Sequence, residues 1–237
     1  MMIQRQLNSR ANAMTSPIIE DYLVTILRLE NIYGIAKTCK IAEELNVTPA
    51  TVSKVLEKLV AKGYITWNKY QGVKLSDKGK SEALRVLRKH RIMEKFLEGI
   101  LGFDKYKAHI YAHSMEHIPD EVVEKVYELL GRPSTCPHGN PITPTLEQQE
   151  ENYHTLDEGG VGSCYRVIRI LGELNSSLKK IIDMGINVGI LLRVKDKNTT
   201  KIIIEMLDHN IEREVDIEHA RLIQVTPVKD CKVDENE

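Results

Sequence analysis

The chain lacks most of the features that mark extracellular and membrane proteins. Its 237 residues include only four cysteines, and no two of them have CxxC spacing. This scarcity argues against a zinc ribbon and a disulfide scaffold, and it favours a reduced intracellular protein. No apolar run is long enough to span a bilayer, and residues 1–13 are too polar for the core of a signal peptide. We therefore expect a cytoplasmic protein that does not contact a membrane.

A strong net charge is also missing, since the formal charge at pH 7 is -1. This near-neutrality argues against a uniformly basic nucleic-acid coat protein. Between residues 48 and 80, however, seven lysines stand against only two acidic residues. A local excess of positive charge of this kind suits contacts with DNA phosphates.

The N-terminal third of the chain has the pattern of a winged helix-turn-helix. A first helix is predicted to start at Pro17 and to end near Tyr33, and a short second helix covers residues 37–45. Thr48 is suited to cap a third helix, and residues 64–75 predict a short hairpin, the wing. Side chains near the start of the third helix would meet base edges in the major groove. The candidate DNA contacts are Thr48, Ala50, Thr51, Ser53, Lys54, Lys58, Lys69 and Lys74.

The alternative interpretation of this region is a small helical domain with a solvated charged face, since some winged helices serve only protein contacts. The excess of lysines favours DNA.

Four potential metal ligands recur at helical spacing further along the chain. His109, His113, Glu116 and His117 are separated by i, i+4, i+7 and i+8, so a helix would place them on one face. Imidazoles and carboxylates are the groups that bind borderline divalent ions. The pattern therefore predicts a metal site.

A second pair of potential ligands, His90 and Glu94, lies upstream at i, i+4 spacing. Such a pair alone is more often a surface ion pair than a site. Its proximity to the downstream histidines, and the possibility that Asp21 on the first helix adds a carboxylate, favour a metal. A buried, hydrogen-bonded polar cluster without metal is the alternative.

Three helices are predicted after the wing, at about residues 77–98, 104–118 and 121–130. Residues 132–145 then contain four prolines and a glycine without periodicity, which indicates a linker or a clamp.

Within this proline-rich segment, Cys136 and His138 could form another ligand pair. We interpret them instead as part of a rigid turn between domains.

The C-terminal third changes to short β-type runs. Strands are predicted at residues 163–170, 188–194, 201–206 and 221–226, with a helix at 176–184. Several short strands with one helical insertion indicate a small SH3-like barrel.

Taken in order, these motifs resemble the DtxR/MntR family of iron- and manganese-dependent repressors, which includes IdeR-like proteins and is named after the diphtheria toxin repressor. The resemblance extends from about residue 14 to 142, and more loosely over the C-terminal third, which resembles the SH3-like, FeoA-type domain of many members. The stretches that carry it are residues 20–23, 41–59, 88–94, 109–117 and 137–141.

The resemblance implies two neighbouring metal sites. The primary, activating site would comprise Asp21, His113, Glu116 and His117. The ancillary site would comprise His90, Glu94 and His109, with Glu173 as a candidate from the SH3-like domain.

The chain departs from both metal types within the family. Iron-type members have methionine and cysteine at the positions of Asp21 and His113, whereas manganese-type members have aspartate and glutamate. Val24 also stands where manganese-type members carry another acidic residue. The ligand set fits Fe(II) or Mn(II), and Zn(II), Co(II) or Ni(II) can substitute in vitro.

The resemblance implies an α+β multi-domain chain with a winged helix-turn-helix, a helical metal-binding and dimerisation domain, and an SH3-like barrel. The predicted boundaries are residues 1–13 for a disordered tail or start-site artefact, 14–85 for the DNA-binding domain, 86–142 for the helical domain, 143–150 for a linker, 151–228 for the SH3-like domain and 229–237 for a polar tail.

The predicted function is metal-activated repression of metal-homeostasis genes by a homodimer on double-stranded operator DNA, with Fe(II) preferred to Mn(II). One alternative is a metal-dependent hydrolase, although no HExxH or other catalytic signature is present. Another is a winged-helix regulator with an organic effector.

Overall fold

The computed structural model describes residues 16–143 and 154–229, which form two compact units that divide between Val86 and Leu87. The predicted N-terminal tail, the linker from residue 144 on and the tail from residue 230 on lie outside the described residues. No helix within the described ranges is long and apolar enough to cross a membrane.

The first unit has the order of a winged helix-turn-helix, and its two strands pair antiparallel with Ile65 opposite Leu75. Its elements are α1 (Pro17–Tyr33), α2 (Thr38–Glu44), α3 (Pro49–Ala61), β1 (Ile65–Asn68), β2 (Gly72–Leu75) and the first half of α4 (Asp77–Gly99).

Residues that were predicted to begin or end helices in this unit do so in the structure. Thr48 caps α3 by accepting a hydrogen bond from the backbone N–H of Thr51, and Pro49 occupies the first turn, where its missing N–H costs nothing. Gly34 ends α1 in the left-handed conformation and donates to the carbonyl of Glu30. These local signals set the length of the helices that carry the predicted DNA-contacting residues.

The wing is anchored by a contact that the sequence pattern did not predict. Ala36 forms an isolated antiparallel bridge with Val73 of β2, so the chain before α2 contacts the hairpin through backbone hydrogen bonds. Gly72 permits this pairing, because a Cβ there would lie 2.7 Å from the carbonyl oxygen of Ala36.

The second unit combines the rest of α4 with two further helices, α5 (Lys105–Met115) and α6 (Asp120–Leu129). Helix α5 is shorter than predicted. It ends at Met115, whereas the sequence predicted an end near Ile118. Pro119 disfavours helical backbone at the residue before it, so Glu116 and His117 lie at the end of the helix rather than within it.

A six-stranded antiparallel sheet completes the second unit, in the order β3-β8-β4-β5-β6-β7. The elements are β3 (His154–Thr155), β4 (Cys164–Ile170), α7 (Asn175–Asp183), β5 (Leu191–Lys197), β6 (Lys201–Met206), β7 (Ile211–Asp216), α8 (Ile217–Ala220) and β8 (Ile223–Val228). The predicted α+β class, with an SH3-like antiparallel domain after the helices, is confirmed.

The sequence pattern did not predict two strands of this sheet. Strand β7 is largely charged and buries only Val215, as suits the edge of a sheet. Strand β3 has two residues, too few for any periodicity.

The cysteines also differ from expectation. Cys39 and Cys136 carry free thiols, and Cys164 is disulfide-bonded. The spacing of the cysteines in the sequence did not predict this bond.

The proline-rich segment after α6 is a clamp between the helices and the sheet. Its turn is closed by a hydrogen bond from Cys136 N–H to the Asn140 carbonyl, 2.9 Å long. The segment also pairs with β4, because Ile170 N–H donates to the His138 carbonyl and the Asn140 side chain donates to the Ile170 carbonyl. The turn is therefore built into the interior of the second unit, as the interpretation of a rigid turn requires.

Candidate metal centre and DNA-binding surface

Three histidines lie together in the interior of the second unit. His90 is on α4, and His109 and His113 are one turn apart on α5. The side chains of His90 and His109 are fully buried, whereas that of His113 is 29% exposed. Their ring centroids are 4.6 to 4.9 Å apart. The packing of α4 against α5 thus gathers imidazoles from distant parts of the chain.

Glu94 supplies the carboxylate at the centre of this cluster. Its Oε1 lies 2.6 Å from Nδ1 of His109, 3.1 Å from Nε2 of His90 and 3.3 Å from Nδ1 of His138. Its Oε2, and Nε2 of His138, are buried and have no hydrogen-bond partner among the described residues. Burying such polar atoms without partners is unfavourable, and a bound cation would satisfy both.

Glu116 connects the two predicted sites. Its Oε2 lies 2.6 Å from Nδ1 of His90 and 3.6 Å from Nδ1 of His113, and its Oε1 lies 3.9 Å from Nε2 of His117. With Nδ1 of His90 donating to this carboxylate, the lone pair of Nε2 faces Glu94 and His109. Carboxylates orient metal-bound imidazoles in this way.

The second unit thus holds six of the seven predicted ligands. The ancillary set of His90, Glu94 and His109 is in mutual contact, and three residues of the primary set meet at the end of α5. Asp21 is half-buried on α1 of the first unit, so its membership of the primary set remains a prediction.

A second group of potential metal ligands joins Glu94 and the candidate ligand Glu173 to two residues that were not assigned to a site, Cys136 and His138. One ligand atom from each of Glu94, Cys136, His138 and Glu173 lies within 4.8 Å of the others, and all four residues are buried. The signal available in the sequence was the Cys-x-His spacing in the proline-rich turn. It was interpreted as purely structural, but the same turn that clamps the sheet also aims both side chains at Glu94.

Glu173 is held in place by charge-assisted hydrogen bonds. Arg91 donates to it through Nε and Nη2, at 2.9 to 3.3 Å, and Asn140 and the Cys136 thiol donate to its Oε1. Its backbone φ of 49° is in the left-handed region, which is costly for a residue other than glycine. The surrounding bonds compensate for this conformation.

Both central carboxylates are ionised, as metal ligands must be. Burial acts to raise the pKa of Glu94, but the positive charge that His138 and His90 carry when protonated outweighs it and holds that pKa well below its usual value. Burial likewise opposes ionisation of Glu116, whose hydrogen bonds to His113 and His90 lower its pKa.

The Cys136 thiol behaves in the opposite way. Burial raises its pKa well above the ordinary value, and the charges of Glu94 and Glu173 raise it further. The thiol is therefore protonated, and binding of a metal through this sulfur would release a proton.

The donor set fits a divalent transition metal. It combines buried imidazoles with ionised carboxylates, and Oε2 of Glu94 and Nε2 of His138 have no hydrogen-bond partner in the part of the chain that the structure describes. These residues could hold such an ion without further charged groups.

The predicted DNA-contacting residues lie on the surface of the first unit. Ser53 is half-buried, and the other seven are exposed: Thr48, Ala50, Thr51, Lys54, Lys58, Lys69 and Lys74. Three of these side chains carry hydroxyl groups that form hydrogen bonds within the protein. The hydroxyl groups of Thr48 and Thr51 share a hydrogen bond, and that of Ser53 donates to the Pro49 carbonyl. The lysines are left to meet phosphates.

Replacing Thr51 and Ser53 by alanine should relax sequence preference, because these residues lie where base edges are expected. Replacing Lys58, Lys69 or Lys74 should weaken binding to all sequences and lower the salt slope by about one unit per lost contact. Affinities for specific and random duplexes across a salt series measure both effects. Loss of preference in the lysine variants alone would contradict this orientation of α3 on DNA.

Comparisons with known proteins agree with this architecture. Residues 14–73 match the N-terminal DNA-binding domain of iron-dependent repressors, and residues 76–144 match their metal-binding and dimerisation domain.

Individual proteins and a solved structure are also similar to this chain. The chain is 27% identical to the diphtheria toxin repressor of Corynebacterium glutamicum over 213 residues, 85% of this chain and 93% of that protein. It is 38% identical to the transcriptional regulator MntR of Bacillus subtilis strain 168 over 104 residues, 44% of this chain and 72% of that protein. The solved structure of the manganese regulator SloR superposes with a TM-score of 0.76 at 27% identity, over 90% of this chain and all of that one. The chain therefore belongs to the DtxR/MntR family of metal-dependent transcriptional repressors.

Proposed function

We propose that this protein represses metal-homeostasis genes when Fe(II), in preference to Mn(II), occupies its metal centre. The observation that carries the proposal is the convergence of His90, Glu94, His109, His113 and Glu116 in the interior of one unit. Relatives are named for iron or for manganese, so the choice of metal rests on the donors. A set rich in imidazole favours Fe(II), because Mn(II) lies below Fe(II) in the affinity order of nitrogen ligands.

The residues that would hold the activating metal are Asp21, His113, Glu116 and His117. The ancillary site would use His90, Glu94 and His109. Cys136, His138 and Glu173 surround the same Glu94 carboxylate, so this group is an alternative set of partners for it.

Activation would follow from where the ligands are in the chain. Asp21 lies on α1 of the DNA-binding unit, whereas the other three primary ligands lie in the second unit. If these four residues held a divalent ion, they would favour the arrangement that fits both recognition helices to DNA. By linkage, operator DNA should tighten metal binding by the same factor.

A second copy of the chain is the proposed partner of the helical part. Ile100, Leu101 and Tyr111 are exposed by 46 to 55% near the end of α4 and on α5. Exposed apolar groups of this size mark contact surfaces, and the matching family domain is one of dimerisation. A homodimer would read the two halves of a pseudo-palindromic operator.

The experiment that tests the function is a titration of operator binding with Fe(II) under anaerobic conditions, Mn(II), Zn(II) and a chelator. We expect specific binding with Fe(II) or Mn(II) and none in the chelator, with Fe(II) effective at the lower concentration. Equal affinity in the chelator would contradict metal activation and favour an organic effector. Turnover of ester or phosphate substrates by the metal-loaded protein would favour the hydrolase alternative.

The affinity for the activating metal should fall as pH is lowered from about 7.5 to 5, since unperturbed histidine titrates near ~6.5. The imidazoles must be neutral to bind, so each protonated ligand costs up to about tenfold per pH unit below its pKa. Calorimetric titrations with Mn(II) at fixed pH values measure this. An affinity that is constant over the range would contradict histidine ligation.

A further inference from the structure

The cluster of His90, His109 and His113 combines residues from both proposed sites. His90 and His109 belong to the ancillary set and His113 to the primary set, yet one ring nitrogen of each lies within 4.8 Å of the others. Nε2 of His90 and Nδ1 of His109 are already 3.0 Å apart. The three rings meet edge-on or tilted, at interplanar angles of 51 to 79°, so they are not stacked face to face. One ring nitrogen of each histidine therefore borders a shared space.

Three converging imidazoles are a recognised ligand set for late first-row metals. Zn(II) binds nitrogen at about 2.0–2.1 Å in tetrahedral geometry, which places two ligand nitrogens roughly 3.4 Å apart. The pair formed by His90 and His109 is close to this separation. His113 is the most exposed of the three, so its side chain has room to adjust and gives the ion a path from solvent.

The surrounding carboxylates support the same set. Glu116 accepts from Nδ1 of His90 and so turns Nε2 of that ring toward His109. Glu94 accepts a hydrogen bond of 2.6 Å from Nδ1 of His109, and it could become a fourth ligand once an ion displaces that proton. Two carboxylates beside three neutral rings offset the charge of a divalent cation.

We propose that His90, His109 and His113 form a third metal site, which takes Zn(II) or another late first-row ion and excludes occupation of both other sites. Because the triad contains no residue of the DNA-binding unit, an ion bound there does not tether that unit. This consequence rests on the proposed function, whereas the binding site does not. The triad would then let the protein hold zinc without being activated by it.

X-ray absorption of the full-length protein loaded with one equivalent of Zn(II) tests the site directly. We expect imidazole scattering from three rings and no sulfur in the wild-type protein. His113→Glu replaces one ring by the residue of manganese-type relatives and should reduce the count to two. Its zinc affinity should fall by more than the roughly 10- to 100-fold typical for loss of an outer-shell partner.

Two matched variants separate the triad from its neighbours. His117→Ala removes a primary ligand and Cys136→Ser removes the sulfur, and both should keep the three-imidazole spectrum. Sulfur in the wild-type spectrum would overturn the proposal in favour of the Cys136 group. Loss of one ring in His117→Ala would overturn it in favour of the primary site, and absence of bound zinc would also overturn it.

The regulatory consequence has its own readout. When zinc is added before Mn(II), the operator affinity of the wild-type protein should be lower than with Mn(II) alone. The operator affinity of His113→Glu should be the same in both cases. If zinc binds the triad and operator affinity nevertheless rises, the site stands and the proposed mechanism of activation is wrong.

Discussion

Substitution of His117 by alanine is expected to abolish metal-activated operator binding while the protein stays dimeric. The imidazole is partly exposed at the end of α5, where its Nε2 faces the buried carboxylate of Glu116. Its removal deletes a primary ligand without opening the core. The loss in metal affinity should exceed the roughly 10- to 100-fold cost of losing an outer-shell partner. Fluorescence anisotropy with labelled operator and sedimentation of the free protein measure the two quantities.

Asp21→Ala should have the same effect from the other unit, because it removes the ligand that would link the DNA-binding unit to the metal. His154→Ala is the matched control, since that side chain is 67% exposed and belongs to neither proposed site. Unaltered operator affinity at saturating Mn(II) in both Asp21→Ala and His117→Ala would show that the primary site is wrongly assigned. His90→Ala should be milder in switching, although it removes the hydrogen-bond partner of Glu116.

Gly139→Ala is expected to destabilise the second unit strongly. Gly139 has φ of 78°, and left-handed backbone costs about 1–2 kcal/mol for a residue with a Cβ. The added Cβ would also lie 2.2 Å from the carbonyl oxygen of Ile168 in β4. Relief of that overlap requires a backbone shift, which typically costs roughly a further 1–3 kcal/mol. Urea unfolding, followed by circular dichroism, measures the change.

Gly131→Ala provides the matched control for the strain alone. Gly131 has a similar φ of 73°, but a Cβ there meets no atom within 4 Å among the described residues. It should lose only the strain energy of about 1–2 kcal/mol. Equal destabilisation by the two substitutions would show that the turn does not clamp β4. Gly139→Ala should also lower the affinity for any metal that binds His138, because the turn would move away from Glu94.

Local signals in the sequence predicted most of the helices. Thr48 and Pro49 start α3, Gly34 ends α1, and the apolar periodicity between such signals indicates helix without knowledge of the rest of the chain. These interactions join residues within one turn of each other, which is why sequence alone suffices for them. The end of α5 was predicted three residues too late, because capping at Glu116 depends on the chain that follows.

The sequence by itself determined the winged helix-turn-helix, the helical spacing of His109 and His113, and the family resemblance. Only the tertiary structure decided which of these side chains meet, because contacts between distant segments carry no periodicity. It placed Glu116 on His90, and it brought Cys136, His138 and Glu173 to Glu94 through the clamp between the helices and the sheet. Strand β7 likewise became visible only through its pairing with β6, since an edge strand needs few apolar side chains.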